Sequence, residues 1–125
     1  MSALAIIAVL IVAALHAYFM LLEMVLWTKP AGRKAFGLTV ERAESTRSLA
    51  ANQGLYNGFL VAGLLWGVTA AYGAAGSSPS ARAIETFFLG CVIVAGAFGA
   101  VTVSRKILWV QAAPAIVALL LVWLT

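Results

Sequence analysis

The amino-acid sequence predicts an all-α membrane protein, a bundle of four transmembrane helices with both termini on the extracytoplasmic side. Apolar residues make up 64% of the 125 residues. Charged residues make up only 10%, against about 25% in soluble domains. A soluble chain this short could not bury so much apolar surface. The apolar residues form four runs, and most basic residues collect at one end of them, so we expect one integral membrane domain over residues 1–125.

A helix needs about 20 residues to cross the hydrocarbon core of a bilayer. The predicted spans are residues 3–27, 49–72, 84–103 and 107–124. The first is interpreted as a retained span, because it lacks a basic leader and is too long for a signal peptide. Pro30 stops its continuation, and Gly73 with the Gly, Ser and Pro residues of 76–80 closes the second span. Thr39 is a candidate N-cap, which predicts that the second helix begins ahead of its span, near Val40.

The basic residues orient the bundle. Seven of the eight lie in two connecting segments, namely Lys29, Arg33, Lys34, Arg42, Arg47, Arg105 and Lys106. The eighth, Arg82, lies in the remaining connection. Cytoplasmic loops carry such an excess of Lys and Arg. We therefore predict a multi-pass protein of the cell membrane with segments 28–48 and 104–106 in the cytoplasm.

Glu23 is the most informative residue. It is the only charged side chain among the first 28 residues, and it lies inside the first apolar run. An ionisable group at membrane depth is costly and by default marks a functional site. His16, Met20, Glu23 and Trp27 are spaced by 4, 3 and 4 residues, so they form one stripe on the first helix. Glu23 and His16 are the candidate catalytic residues, with Glu23 as hydrogen-bond acceptor or general base.

A polar layer is predicted around Glu23. At about 1.5 Å per residue, Glu23 lies within roughly 8 Å of the cytoplasmic end of its helix. The side chains predicted to converge there and bind a ligand are Trp27, Arg47, Asn52, Gln53, Tyr56, Asn57, Lys106 and Gln111. We expect the Glu23 carboxylate to reach at least one of Arg47, Asn52, Asn57, Lys106 and Gln111. At the opposite end we expect no second cluster, because Glu85 and Arg82 stand almost alone there.

Small residues predict where the helices approach closely. Gly54, Gly58 and Ala62 are spaced by four, as are Gly63 and Gly67. Such spacing lets transmembrane helices pack with their backbones near each other.

Three functional hypotheses remain open. The preferred one is a site for a small amphiphilic or anionic ligand entering from the cytoplasmic leaflet, with Arg47 and Lys106 holding an anionic head group. The second is a small proton-coupled transporter with Glu23 and His16 as a relay. The third is a non-catalytic assembly subunit in which the polar layer only joins helices. The residues do not decide whether the protein is an enzyme.

Composition limits the partners. The basic residues are confined to loops and helix ends, so we expect the lipid bilayer and no nucleic acid as a partner. Cys91 and His16 are each the single residue of their type, so no metal site is expected within one protomer. The sequence identifies no cofactor. A bundle of four helices is thin, which is compatible with a homo-oligomer.

Two strings carry a resemblance. One runs from His16 to Trp27 and contains Glu23-Met-Val-Leu-Trp27; the other is Asn52-Gln-Gly-Leu-Tyr-Asn57 with the following Gly58-Phe59. With these strings, and over nearly its whole length, the chain resembles a domain-of-unknown-function family of small four-helix integral membrane proteins. The resemblance implies the fold and the membrane location, and it brings no activity.

Overall fold

The computed structural model describes residues 1–73 and 79–125, and within these ranges the regular structure is entirely helical. The helices are α1 (Ala3–Met24), α2 (Pro30–Phe36), α3 (Val40–Gly73), α4 (Pro79–Thr102), a π-helical turn (Leu108–Ala112) and α5 (Ala113–Leu124). This confirms the all-α class. Of the predicted turn at 76–80, residues 76–78 lie outside the described residues.

Among the described residues, three helices are long and apolar enough to cross a membrane: Ala3–Met24, Val40–Gly73 and Ala81–Thr102. The fourth predicted span corresponds to the shorter apolar helix Leu108–Leu124. Its first turn is π-helical. Pro114 has no N–H to donate to the carbonyl group four residues earlier, which interrupts the α-helical ladder at this point.

The helix ends differ from the predicted spans at two places that affect the site. α1 ends at Met24, and the chain turns before α2, so Trp27 lies beyond the helix. α4 begins at Pro79 rather than at residue 84, which places Glu85 inside the helix instead of at its start. α3 does begin at Val40, and the Thr39 hydroxyl oxygen accepts a hydrogen bond from the Arg42 N–H at 3.1 Å, which confirms the predicted N-cap.

The described chain divides into two compact units. We call His16–Phe59 the central unit, and Met1–Leu15 with the described part of Leu60–Thr125 the terminal unit. The apolar core of the terminal unit consists of Ala5, Ile6, Val9, Val12, Ala13, Leu64, Val68, Leu89, Val92, Ala115, Ala118 and Val122.

Hydrogen bonds at one end of the terminal unit join its helix ends. The Ser2 and Thr125 hydroxyl groups lie 2.6 Å apart. The Trp123 Nε1–H donates to the Thr86 hydroxyl oxygen at 2.9 Å. Trp123 is near the end of α5 and Thr86 is near the start of α4, so these two helices run antiparallel.

Candidate functional site

The central unit contains a buried polar pair. The Asn57 Nδ2–H donates a hydrogen bond of 2.7 Å to Glu23 Oε2. Glu23 is 7% exposed and Asn57 is 8% exposed. The predicted contact between Glu23 and one of the named polar side chains is therefore present, and its partner is a neutral amide of α3. The pair joins the last turn of α1 to the middle of α3.

Close helix packing brings this pair together. A Cβ atom built on Gly54 would lie 2.5 Å from Met24 Cγ and 3.0 Å from Glu23 Cβ, so a side chain at this position would require the residues of α1 to shift. One turn further along α3, a Cβ atom on Gly58 would lie 3.0 Å from Met20 Sδ. This confirms the close approach predicted from Gly54 and Gly58. It also sets the depth at which Asn57 meets Glu23.

Trp27 is anchored beside the end of α1. Its indole Nε1–H donates to the Thr46 hydroxyl oxygen at 3.0 Å. Its ring lies 4.8 Å from the ring of Phe36, centroid to centroid. α2 packs against the same turn, because a Cβ atom on Gly32 would collide with the Leu26 carbonyl group. The indole is therefore held between the short helix α2 and the first turns of α3.

His16 is buried, with 1% of its surface exposed, and its ring meets Phe19 edge-on at 5.6 Å between centroids. It lies seven residues before Glu23 on α1. At about 1.5 Å per residue the two residues are roughly 10 Å apart along the helix axis. Glu23 and His16 are therefore too far apart along the helix to exchange a proton directly, and proton transfer between them would need an intervening group.

Four other predicted ligand-binding residues of the central unit are exposed. Asn52, Gln53 and Tyr56 are exposed on α3, and Arg47 is exposed near its start. Asn57 differs from them because it belongs to the buried stripe of α3, which consists of Ala43, Ala50, Gly54 and Asn57. In the part of the chain that the structure describes, the polar partner of Glu23 is this amide and not the Arg47 guanidinium group.

Two predicted residues belong to the terminal unit. Lys106 is exposed between α4 and the π-helical turn, where its backbone N–H donates to the Ser104 hydroxyl oxygen at 3.4 Å. Gln111 is half-buried in the π-helical turn. Within residues 1–73 and 79–125, no group of three or more His, Cys, Asp or Glu side chains is arranged to hold a metal ion.

Residues 10–123 match the family model described as a protein of unknown function, DUF1304. The chain belongs to this family. The match includes the Glu23–Asn57 pair and also extends over α4 and most of α5. No curated protein and no solved structure matches the chain. The match therefore confirms the resemblance to a domain-of-unknown-function family, and the description of that family names no activity.

Sequence reasoning missed a second buried carboxyl group. Glu85 is fully buried in the terminal unit, whereas the sequence predicted only that Glu85 and Arg82 stand almost alone at this end. The error came from placing the start of the helix at residue 84, which put Glu85 in the first turn. The signal that was available is the spacing of Ala81, Glu85 and Leu89 by four residues, which puts all three on one helix face. Thr46, the partner of Trp27, was also missed.

Proposed function

We propose that the protein is a four-pass membrane protein that binds a small amphiphile at Glu23. The observation that carries this proposal is the Glu23–Asn57 pair, a buried carboxyl group in an apolar helix whose hydrogen-bond partner is a neutral amide. A carboxylate has two oxygens that accept hydrogen bonds. The bond from Asn57 occupies Oε2, so the group keeps capacity for a donor supplied by a ligand.

The alternative role of Glu23 is to hold α1 and α3 together. The glycine contacts argue against it, because Gly54 and Gly58 already bring the two helices into close packing without a charged group. Burying a carboxyl group has a desolvation cost that an apolar side chain of similar size would avoid. The presence of a buried carboxyl group at Glu23, despite this desolvation cost, is better explained by an interaction with a ligand.

The surroundings indicate the chemistry of the ligand. Glu23 is an acceptor, so the polar head should carry a hydroxyl or ammonium donor. The exposed basic residues of the central unit, among them Lys29, Lys34 and Arg47, would attract an anionic group on the same head. The anchored Trp27 indole suits the boundary between water and hydrocarbon, where tryptophan is enriched. We do not include Lys106 and Gln111 in this site, because they belong to the terminal unit.

Four crossings are supported by the hydrogen bond between Ser2 and Thr125. Three crossings would leave the two termini on opposite sides of the bilayer. The adjacent termini therefore favour a fourth crossing by Leu108–Leu124, whose length is near the lower end of what spans a membrane. The seven-to-one distribution of basic residues favours termini on the extracytoplasmic side.

This orientation gives the first prediction. A reporter enzyme that is active only outside the cytoplasm should be active when fused after Thr125, and inactive when fused within the segment after α2. A reporter that fluoresces only in the cytoplasm should give the opposite pattern. Fluorescence from the fusion after Thr125 would overturn the orientation, and the same result from both fusion points would overturn the four crossings.

The binding site is tested by ligand-induced stabilisation. Thermal melts in lipid nanodiscs would be recorded with a long-chain alcohol, amine and carboxylic acid of equal chain length. A ligand at 100 times its Kd stabilises the folded state by about 2.7 kcal/mol. We expect the alcohol or amine to raise the melting temperature of the native protein and of Glu41→Gln, a matched change at an exposed position. We expect no such rise for Glu23→Gln. Equal responses of the native protein and Glu23→Gln would contradict the proposal.

A further inference from the structure

Glu85 is buried without a hydrogen-bond partner. It lies on α4 in a stripe with Ala81, Leu89 and Val92, and each of these four residues is 0% exposed. Both carboxyl oxygens, Oε1 and Oε2, are buried and accept no hydrogen bond in the described structure. This differs from Glu23, whose Oε2 is bonded to Asn57. Native proteins rarely leave a buried polar group in this state, so each instance calls for an explanation.

α3 packs against the Glu85 carboxyl group at Gly67. A Cβ atom built on Gly67 would collide with Oε1 and would lie 2.8 Å from Glu85 Cγ. The carboxyl group thus occupies the space that a side chain at position 67 would need. One turn away on the same contact, the Phe88 ring fills the space beside Gly63. The α3–α4 contact therefore contains the carboxyl group, and the backbone of Gly67 packs directly against it.

Charged and titratable groups near this end of the terminal unit belong to several elements. α4 itself carries Arg82, whose Nε is buried and has no hydrogen-bond partner in the described structure. The amino group of Met1 precedes α1, the exposed Tyr72 lies on α3, and the carboxylate of Thr125 follows α5. None of them donates a hydrogen bond to Glu85 across residues 1–73 and 79–125. Arg82 is the relevant competitor, because it lies one turn from Glu85 on the same helix.

We propose that Glu85 is a proton-binding site of the terminal unit, which holds its proton while α3 is packed on it at Gly67 and releases it when that contact opens. An ionised carboxylate without partners is strongly disfavoured away from water, whereas the neutral acid is tolerated. A metal cation would require several oxygen ligands, and a proton requires one. Release is a simple ionisation in which the O–H bond breaks and the proton passes to water. The proposal is independent of amphiphile binding at Glu23.

Infrared spectroscopy tests the protonation directly. A protonated carboxyl group has a C=O stretch that lies above the amide bands and shifts in D₂O. The chain has only four acidic side chains, all of them glutamates. At neutral pH we expect a carboxylic-acid band from the protein in nanodiscs that is kept in Glu23→Gln and in Glu41→Gln, and lost in Glu85→Gln.

A second variant keeps the test decisive if Glu85→Gln does not fold. Gly67→Ala places a methyl group against the carboxyl oxygen and should shift the frequency of the band. Gly90→Ala is the matched control on α4, because a Cβ atom there meets nothing within 4 Å, and it should leave the band unchanged. Absence of any carboxylic-acid band from Glu23→Gln at neutral pH would overturn the proposal. So would a band that appears only after Arg82→Gln, because Glu85 would then be an ionised partner of Arg82.

Discussion

Gly32→Ala is expected to destabilise the central unit by about 3 kcal/mol, at the upper end of what overpacking costs. The added Cβ atom would collide with the carbonyl oxygen of Leu26, and it would lie 2.5 Å from the Leu26 carbonyl carbon and 2.9 Å from Trp27 Cα. These are backbone atoms, so no change of side-chain rotamer relieves the clash. α2 must move, and the contacts of the Trp27 indole with Phe36 and Thr46 should weaken with it.

Thermal melts and limited proteolysis in detergent would measure this effect. We expect a lower melting temperature and faster cleavage in the connection between α1 and α3. Gly90→Ala serves as the control, because its Cβ atom meets open space and alanine favours a helix over glycine by about 1 kcal/mol. If the two variants melted at the same temperature, the packing of α2 on the Leu26 carbonyl group would be wrong.

Asn57→Asp is expected to have the other large effect, and its size should depend on pH. The substitution places an oxygen of the new aspartate carboxyl group where Nδ2 now lies, 2.7 Å from Glu23 Oε2. Two buried carboxylates at this distance repel each other, and an uncompensated buried charge costs about 3–5 kcal/mol. Acidification supplies a proton that the pair can share as an O–H···O hydrogen bond. The stability of the variant should therefore be lowest at neutral and alkaline pH and should recover as the pH falls.

The measurement is a series of thermal melts across pH for the native protein, Asn57→Asp and Asn57→Leu. Asn57→Leu removes the donor without adding a second carboxyl group, so its loss of about 1–3 kcal/mol should be smaller than that of Asn57→Asp at neutral pH and should recover less as the pH falls. Asn52→Asp makes the same chemical change at an exposed position of α3 and should leave stability unchanged. Equal melting of Asn57→Asp and Asn52→Asp at neutral pH would show that the Glu23–Asn57 pair is not formed.

The buried Glu85 changes the balance between the functional hypotheses. Transport of protons requires polar groups along the path in both halves of a membrane protein. The sequence placed polar residues in one half, which favoured ligand binding over transport. The structure adds a buried carboxyl group in the terminal unit to the one in the central unit. If the infrared experiment finds a proton on Glu85, a proton-coupled function becomes the hypothesis to test next.

The amino-acid sequence by itself determined the helical class, the apolar segments and the presence of a carboxyl group, that of Glu23, inside the first of them. Composition and the length of apolar runs report directly on solvent and secondary structure, and a charged residue inside such a run is visible without coordinates. The N-cap at Thr39 and the glycine spacing on α3 were also local enough to predict. The DUF1304 match agrees with the resemblance carried by the strings around Glu23 and Asn57.

Only the tertiary structure decided which polar residues are buried and what they contact. Asn52, Gln53 and Asn57 have similar chemistry and neighbouring positions, but the packing of α1 on Gly54 sets the rotation of α3 and turns Asn57 alone towards Glu23. Glu85 is buried because α4 begins at Pro79 and because Gly67 leaves room for a carboxyl group. The rotation of α3 against α1 depends on residues distant in sequence, so the local pattern could not show which of the three amides meets Glu23.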